Sequence, residues 1–133
     1  MLDIIVKYND IEEREIDNDS YLYLFYNHDT KLYKVGITNY EPDIRLCKIQ
    51  NESGCNLTLI MYYFGAAQID TSAGCIENYI HNYFKDKRKK GEWFDFTNRD
   101  LISIRALIWH IHGDDIFDEL QEHLEYKLRN LQK

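Results

Sequence analysis

The 133-residue chain has only three cysteines, Cys47, Cys55 and Cys75, and no C-x-x-C pair among them. An odd set with that spacing supplies neither a disulfide framework nor zinc-ligand geometry, so three reduced thiols are expected. No apolar run approaches the roughly 20 residues that cross a bilayer. The opening "MLDIIVKYND" has neither the basic start nor the long apolar core of a signal peptide. These absences lead to the expectation of a cytoplasmic or nuclear protein. Positive charge is also in deficit: 16 Lys and Arg stand against 23 Asp and Glu, a formal net charge of −7. Such a balance excludes a purely electrostatic nucleic-acid binder, because phosphate neutralisation by Lys and Arg supplies most non-specific affinity. Internal repeats and low-complexity segments are missing too.

What remains is the composition of one globular domain, 44% hydrophobic and 14% aromatic with 11 tyrosines. The acidity belongs to the flanks. Residues 1–20 carry seven acidic against two basic side chains and residues 97–133 seven against five, whereas residues 21–96 balance nine against nine.

Along the chain, residues 1–19 read as an acidic N-terminal arm or edge strand after the β-prone "IIV". From Ser20 the residues alternate, with Tyr21, Tyr23 and Phe25 on one face and Leu22, Leu24 and Tyr26 on the other. The turn-rich "NHDT" and a second alternating run, Leu32 to Ile37, complete a β-hairpin. The single proline, Pro42, suits the first turn of a short helix with Asn39 as a candidate cap. "NLTLIMYYF" reads as a strand covered on both sides in the middle of the sheet. Ala73, Ile76, Ile80 and Phe84 recur at helical spacing in a segment capped by Asp70 or Thr71. "GEWFDF" follows as an aromatic strand or turn, then a helix over Leu101, Ile104 and Ile108, a break at Gly113 and Asp114, and a last helix striped by Phe117, Leu120, Leu124, Leu128 and Leu131. The expected class is α/β, a small central antiparallel sheet of about three strands flanked by helices, with a C-terminal helical extension over 97–133.

Several residues in this order resemble the GIY-YIG nuclease superfamily, most closely its phage and large-virus branch. Tyr21-Leu22-Tyr23 stands where the family has its first triplet, and Lys34-Val35-Gly36, within "YKVGIT", where it has the second. Arg45 follows on the first helix and Glu77 on the later one, with His81 four residues beyond, and "KRKKGEWF" closes the module. The resemblance covers about residues 20–96. It implies a metal-dependent DNA endonuclease in which Glu77 holds one divalent ion, Mg²⁺ or Mn²⁺, and Arg45 clamps the phosphate with its planar fork. Tyr23, Lys34, Arg45, Glu77, Tyr33 and His81 are the candidate catalytic residues. Gly36, Lys48, Lys87, Arg88, Lys89 and Lys90 are the candidate DNA contacts.

Two departures matter. Tyr21 replaces the first glycine, and Lys34 replaces the tyrosine that helps deprotonate water in much of the family. Lys34 or Tyr23 is left as the base, since Tyr33 points to the other strand face. Lys34 and Gly36 share a face, so a substrate backbone is expected to approach over the glycine. Simpler readings stand beside these. Glu41 and Arg45 are spaced as a helix ion pair, "KDKRKK" as a solvated turn, His81 as a surface histidine, and Trp93, Phe94 and Phe96 as core. His110 and His112, at i, i+2, point apart and make no metal pair. A second class of function is a degenerate module that binds or inhibits a protein or nucleic-acid partner, and a homodimer through the last helix is a third possibility.

Overall fold

The alternating run from Ser20 to Thr38 builds the centre of the sheet. The computed structural model describes residues 2–11, 20–65, 73–113 and 116–131. Within it β1 (Ser20–Asn27) and β2 (Tyr33–Thr38) pair antiparallel, with Tyr23 opposite Gly36 and Phe25 opposite Lys34. Asn27 closes the turn: its side-chain oxygen accepts from the backbone N–H of Asp29 at 2.8 Å and of Thr30 at 3.2 Å, the local bonding that makes asparagine a turn former. β3 (Leu57–Gly65) pairs with the other side of β1. β4 (Arg88–Lys90), β5 (Trp93–Phe94) and β6 (Phe117–Asp118) extend this core into a six-stranded antiparallel sheet ordered β4-β5-β2-β1-β3-β6. The sheet is therefore larger than the expected three strands; the added ones, of two or three residues each, are too short to show alternation. β3 is interior, yet β1 lies nearer the centre, and Thr58 and Phe64 of β3 stay exposed.

The period-two rule divides the hairpin between two cores. Leu22, Leu24, Tyr26, Tyr33 and Val35 face the larger one. There they meet Ile76 and Ile80 of α3 (Ala73–Tyr83) and Leu101 and Ile104 of α4 (Asn98–His112). Tyr23 and Phe25 face the smaller one, covered by Leu46 and Ile49 of α2 (Pro42–Ser53). α4 starts at a reciprocal cap in which Thr97 accepts from the Asp100 backbone and Asp100 from the Thr97 backbone, two orphan donors satisfied at once.

Three local expectations are corrected. The start of the N-terminal arm is a helix, α1 (Asp3–Asn9), not a strand; residues 12–19 lie outside the described residues. Seven residues are too few to hold a helix alone. Ile4, Ile5 and Tyr8 are buried, each worth about 1.5–3 kcal/mol, and Tyr83 donates to Asp3 at 2.8 Å while Tyr79 donates to the Ile4 carbonyl. At α2 the N-cap is Glu41, with Pro42 in the first turn, rather than Asn39. Phe117 belongs to β6, and α5 begins three residues later (Leu120–Leu131). Leu120 is fully buried there, while Leu128 and Leu131 are exposed. The caps expected at Asp70 or Thr71, and Asp114 in the break, lie outside the described residues; Gly113 ends α4 at φ 72°.

Candidate active site

Tyr23 occupies the middle of the smaller core, 2% exposed, its ring stacked on Phe25 at 4.1 Å. Its hydroxyl reaches across the strand pair to Gly36. A Cβ built on Gly36 would overlap the Tyr23 hydroxyl and Cζ and stand 3.1 Å from Cε1. The glycine thus makes room for the phenol of the partner strand, and this corrects the expectation that it admits a substrate backbone.

The Arg45 guanidinium of α2 is within reach of the Tyr23 hydroxyl, and the charges of Glu92, from the β4–β5 turn, and Glu77, from α3, act on the same phenol. Burial pushes Tyr23 up to about 12; the Arg45 hydrogen bond opposes that shift, and the two glutamates add to it. The phenol is accordingly neutral at physiological pH, a hydrogen-bonding group before it is a base. Lys34, on the same sheet face, has its Nζ 3.4 Å from Glu92 Oε2 and 5.8 Å from the centre of the Trp93 ring. To accept a proton Lys34 would first have to lose one, which breaks this ion pair.

Two clefts are lined in part by α2. One, of about 350 Å³, is lined by Arg45 and Lys48 with Ile37, Tyr40 and Ile44. The other, of about 590 Å³, is lined by Lys34, Lys90, Glu92 and Trp93 against Ile49 and Leu32.

The remaining candidates divide. His81 lies on the outer edge of β2, just past the residues that β5 pairs. Its Nε2 is 2.8 Å from the Val35 carbonyl and its Nδ1 3.2 Å from an Arg88 nitrogen. Because a carbonyl only accepts, Nε2 carries the proton and Nδ1 accepts from Arg88. Both ring nitrogens are engaged, so His81 braces an open strand edge. Tyr33 faces the larger core, where its hydroxyl meets His123 at 2.7 Å and Lys127 at 3.1 Å. It is on the far side of the sheet from Tyr23. Lys87 is bound to Asp100, the capping residue of α4, and is therefore not a free phosphate contact. "RKK" forms strand β4 rather than a turn, with Arg88, Lys89 and Lys90 exposed and Arg88 5.5 Å from the Phe94 ring centre. Phe94 and Phe96 are core as expected, and the half-buried Trp93 packs against the smaller core while also lining a cleft. His110 bonds Asn9 at 3.2 Å, and the side chain of His112 lies outside the described residues.

Glu92 is the site residue that sequence reasoning missed. It stands inside the quoted "GEWF", yet only the pairing of β5 with β2 brings it to Lys34. Among the described residues no group of three or more His, Cys, Asp or Glu forms a metal cage. Glu77 is a hard oxygen donor of the type Mg²⁺ takes from a protein, whereas Glu92 is engaged by Lys34.

The geometry defines a class: an α/β module that gathers arginine, lysine, tyrosine and carboxylate on one face of an antiparallel sheet beside open clefts. Residues 20–109 match the model of the T5orf172 domain, and the chain belongs to that phage-associated family, which is often linked to nucleases. The match runs past Phe96 into α4. No curated protein and no solved structure matches the chain. No helix among the described residues is long and apolar enough to cross a membrane.

Proposed function

We propose that the chain is a metal-dependent DNA endonuclease of the GIY-YIG type, weakly sequence-specific or structure-selective. The observation that supports this reading is that the charges of Arg45, Glu92 and Glu77 all act on the Tyr23 phenol, beside a cleft lined by Arg45 and Lys48. In phosphodiester hydrolysis the water oxygen bonds to phosphorus while the P–O3′ bond breaks, and the departing oxygen takes up a proton. Arg45 grips the phosphoryl oxygens with its fork, and Lys48 extends the positive wall of that cleft. Tyr23, holding its proton, orients a phosphoryl oxygen or the attacking water through its hydroxyl. Lys34 offers charge to the strand on the other side. Glu77 would hold one Mg²⁺ or Mn²⁺, which when bound supplies Lewis-acid polarisation and a more acidic water.

Purified protein incubated with linear, supercoiled and branched DNA in Mg²⁺ or Mn²⁺ tests the reading. Cleavage is expected to fall at least about a hundredfold in Glu77→Ala, an acidic group removed from the reacting centre; cleavage that survives it refutes the assignment. A specific feature favours a second reading, a binding or inhibitory module: Lys34, in the place of the motif tyrosine, is ion-paired with Glu92. DNA or protein capture with no cleavage of any substrate selects that alternative. The exposed Leu128 and Leu131 of α5 are the surface a homodimer would use.

A further inference from the structure

The cleft between α2 and the β4–β5 turn is not used by the phosphate clamp, and its chemistry is of another kind. Its volume, about 590 Å³, lies in the range of about 300–1,000 Å³ that houses small organic guests. Trp93 forms one wall, Ile49 and Leu32 line it with hydrocarbon, and Lys34, Lys90 and Glu92 place charge at its margin. Trp93 is half-buried, whereas its neighbour Phe94 is wholly so. Lys34 is shared with the tyrosine cluster through its strand face. Along α2, Arg45 of one cleft and Ile49 of the other are four residues apart, about 6 Å of helix rise. The two clefts thus share α2, which presents Arg45 to one and Ile49 to the other.

We infer that this cleft is a subsite for an unpaired nucleobase, next to the scissile phosphate, so that the substrate class is DNA with a single-stranded or locally opened segment. The inference rests on the nuclease reading. α2 supplies Ile49 and Ser53 to one side of the cleft, and the β4–β5 turn supplies Gly91 and Glu92 to the other. Indole stacking is tolerant of base identity, which gives structure selection without strong sequence preference. Lys90, exposed at the margin, offers charge to the phosphate that flanks the inserted base, while Lys34 is paired with Glu92.

The chain has two tryptophans, Trp93 and Trp109. In a Trp109→Phe background, emission therefore reports Trp93 alone. Titration in EDTA with a single-stranded oligothymidylate is expected to quench that emission and to show at least about fivefold tighter binding than a duplex of equal length, the lower end of base–aromatic stacking. Trp93→Leu is expected to abolish the preference. Ser53→Leu, an exposed change in the last turn of α2 that narrows the same cleft, is expected to do so while the fold is kept. Binding without quenching, or a preference unchanged by Ser53→Leu, overturns the subsite. Glu77-dependent cleavage with neither signal refutes the subsite alone. Quenching and preference with no cleavage keep the subsite and refute the nuclease.

Discussion

Gly36→Ala is a small change with a large expected effect, because the added methyl falls on the Tyr23 hydroxyl and Cζ, and 3.1 Å from Cε1. Tyr23 has little room to yield: it is 2% exposed and stacked on Phe25 at 4.1 Å. Overpacking a core of this kind costs about 1–3 kcal/mol, and displacing the hydroxyl from Arg45 about 1–3 kcal/mol more. Alanine recovers roughly 0.5–1 kcal/mol of backbone entropy in a strand. The net loss is about 1–5 kcal/mol, and at about 3–5 °C per kcal/mol for a chain of this size the Tm drops by roughly 3–25 °C. Thermal and urea unfolding followed by circular dichroism read this directly. Repeating the change in a Tyr23→Phe background removes the nearest atom, so Gly36→Ala should cost about 1 kcal/mol less there. A Tm within about 2 °C of the parent, or additive effects in the double variant, would refute the account of why this position is glycine.

Glu92→Gln releases Lys34 from its ion pair, and DNA affinity in EDTA at low salt is expected to rise, with the salt slope of log K steeper by about 0.7–0.9, one phosphate contact; an unchanged slope argues that Lys34 does not face the substrate. His123 is held at about 4 by burial, helped by Lys127 and His28, against an ordinary 6.5. Tyr33 and Tyr26 also pack against it. Its folded value is depressed, so between about pH 4 and 6.5 the unfolded chain binds the extra proton and stability falls as pH drops through that window, by at most about 3 kcal/mol. His123→Gln keeps a hydrogen-bonding side chain for Tyr33 without titrating. Unfolding midpoints at pH 7 and 5 should diverge less in this variant than in the parent, and equal divergence would remove His123 from the explanation.

The hairpin, β3 and the two long helices of the larger core were legible because each spans enough residues to display its period. The hairpin shows alternation over eight and six residues, and α4 carries its own start signal in Thr97 and Asp100. α1 was not legible: its apolar pair Ile4-Ile5 looks β-prone, and its helicity is decided by α4 and by Tyr79 and Tyr83 of α3, some 75 to 80 residues away. β6 was mistaken for the start of a helix because Phe117 fits the leucine stripe, whereas pairing with Tyr62 and stacking on its ring at 5.1 Å claim it for the sheet. At the site, sequence order identified Tyr23, Arg45 and Glu77 as candidates, and the fold brings them together. Glu92 and Lys87 were beyond reach, since what each touches is fixed by strand and helix packing rather than by neighbours in the chain.

A chain of net charge −7 can hold a phosphodiester only if the attraction is local. At physiological ionic strength charges are screened beyond about 8 Å, so the acidic flanks act on approach and hardly at all on contact. Around Tyr23 the opposing charges nearly cancel, with Arg45 and Lys34 facing Glu77 and Glu92. Around the Tyr23 cluster itself, a DNA strand would therefore meet no surplus of cations; those lie on β4, where Arg88, Lys89 and Lys90 are exposed. Selection passes to the short-range features that remain: the fork of Arg45, the walls of two clefts, and an indole face. A site built this way discriminates by shape, because a substrate that cannot enter the clefts meets only a nearly neutral patch on an acidic protein. On the nuclease reading, weak capture of ordinary duplex and strong dependence on local DNA geometry are both expected from the same charge arrangement.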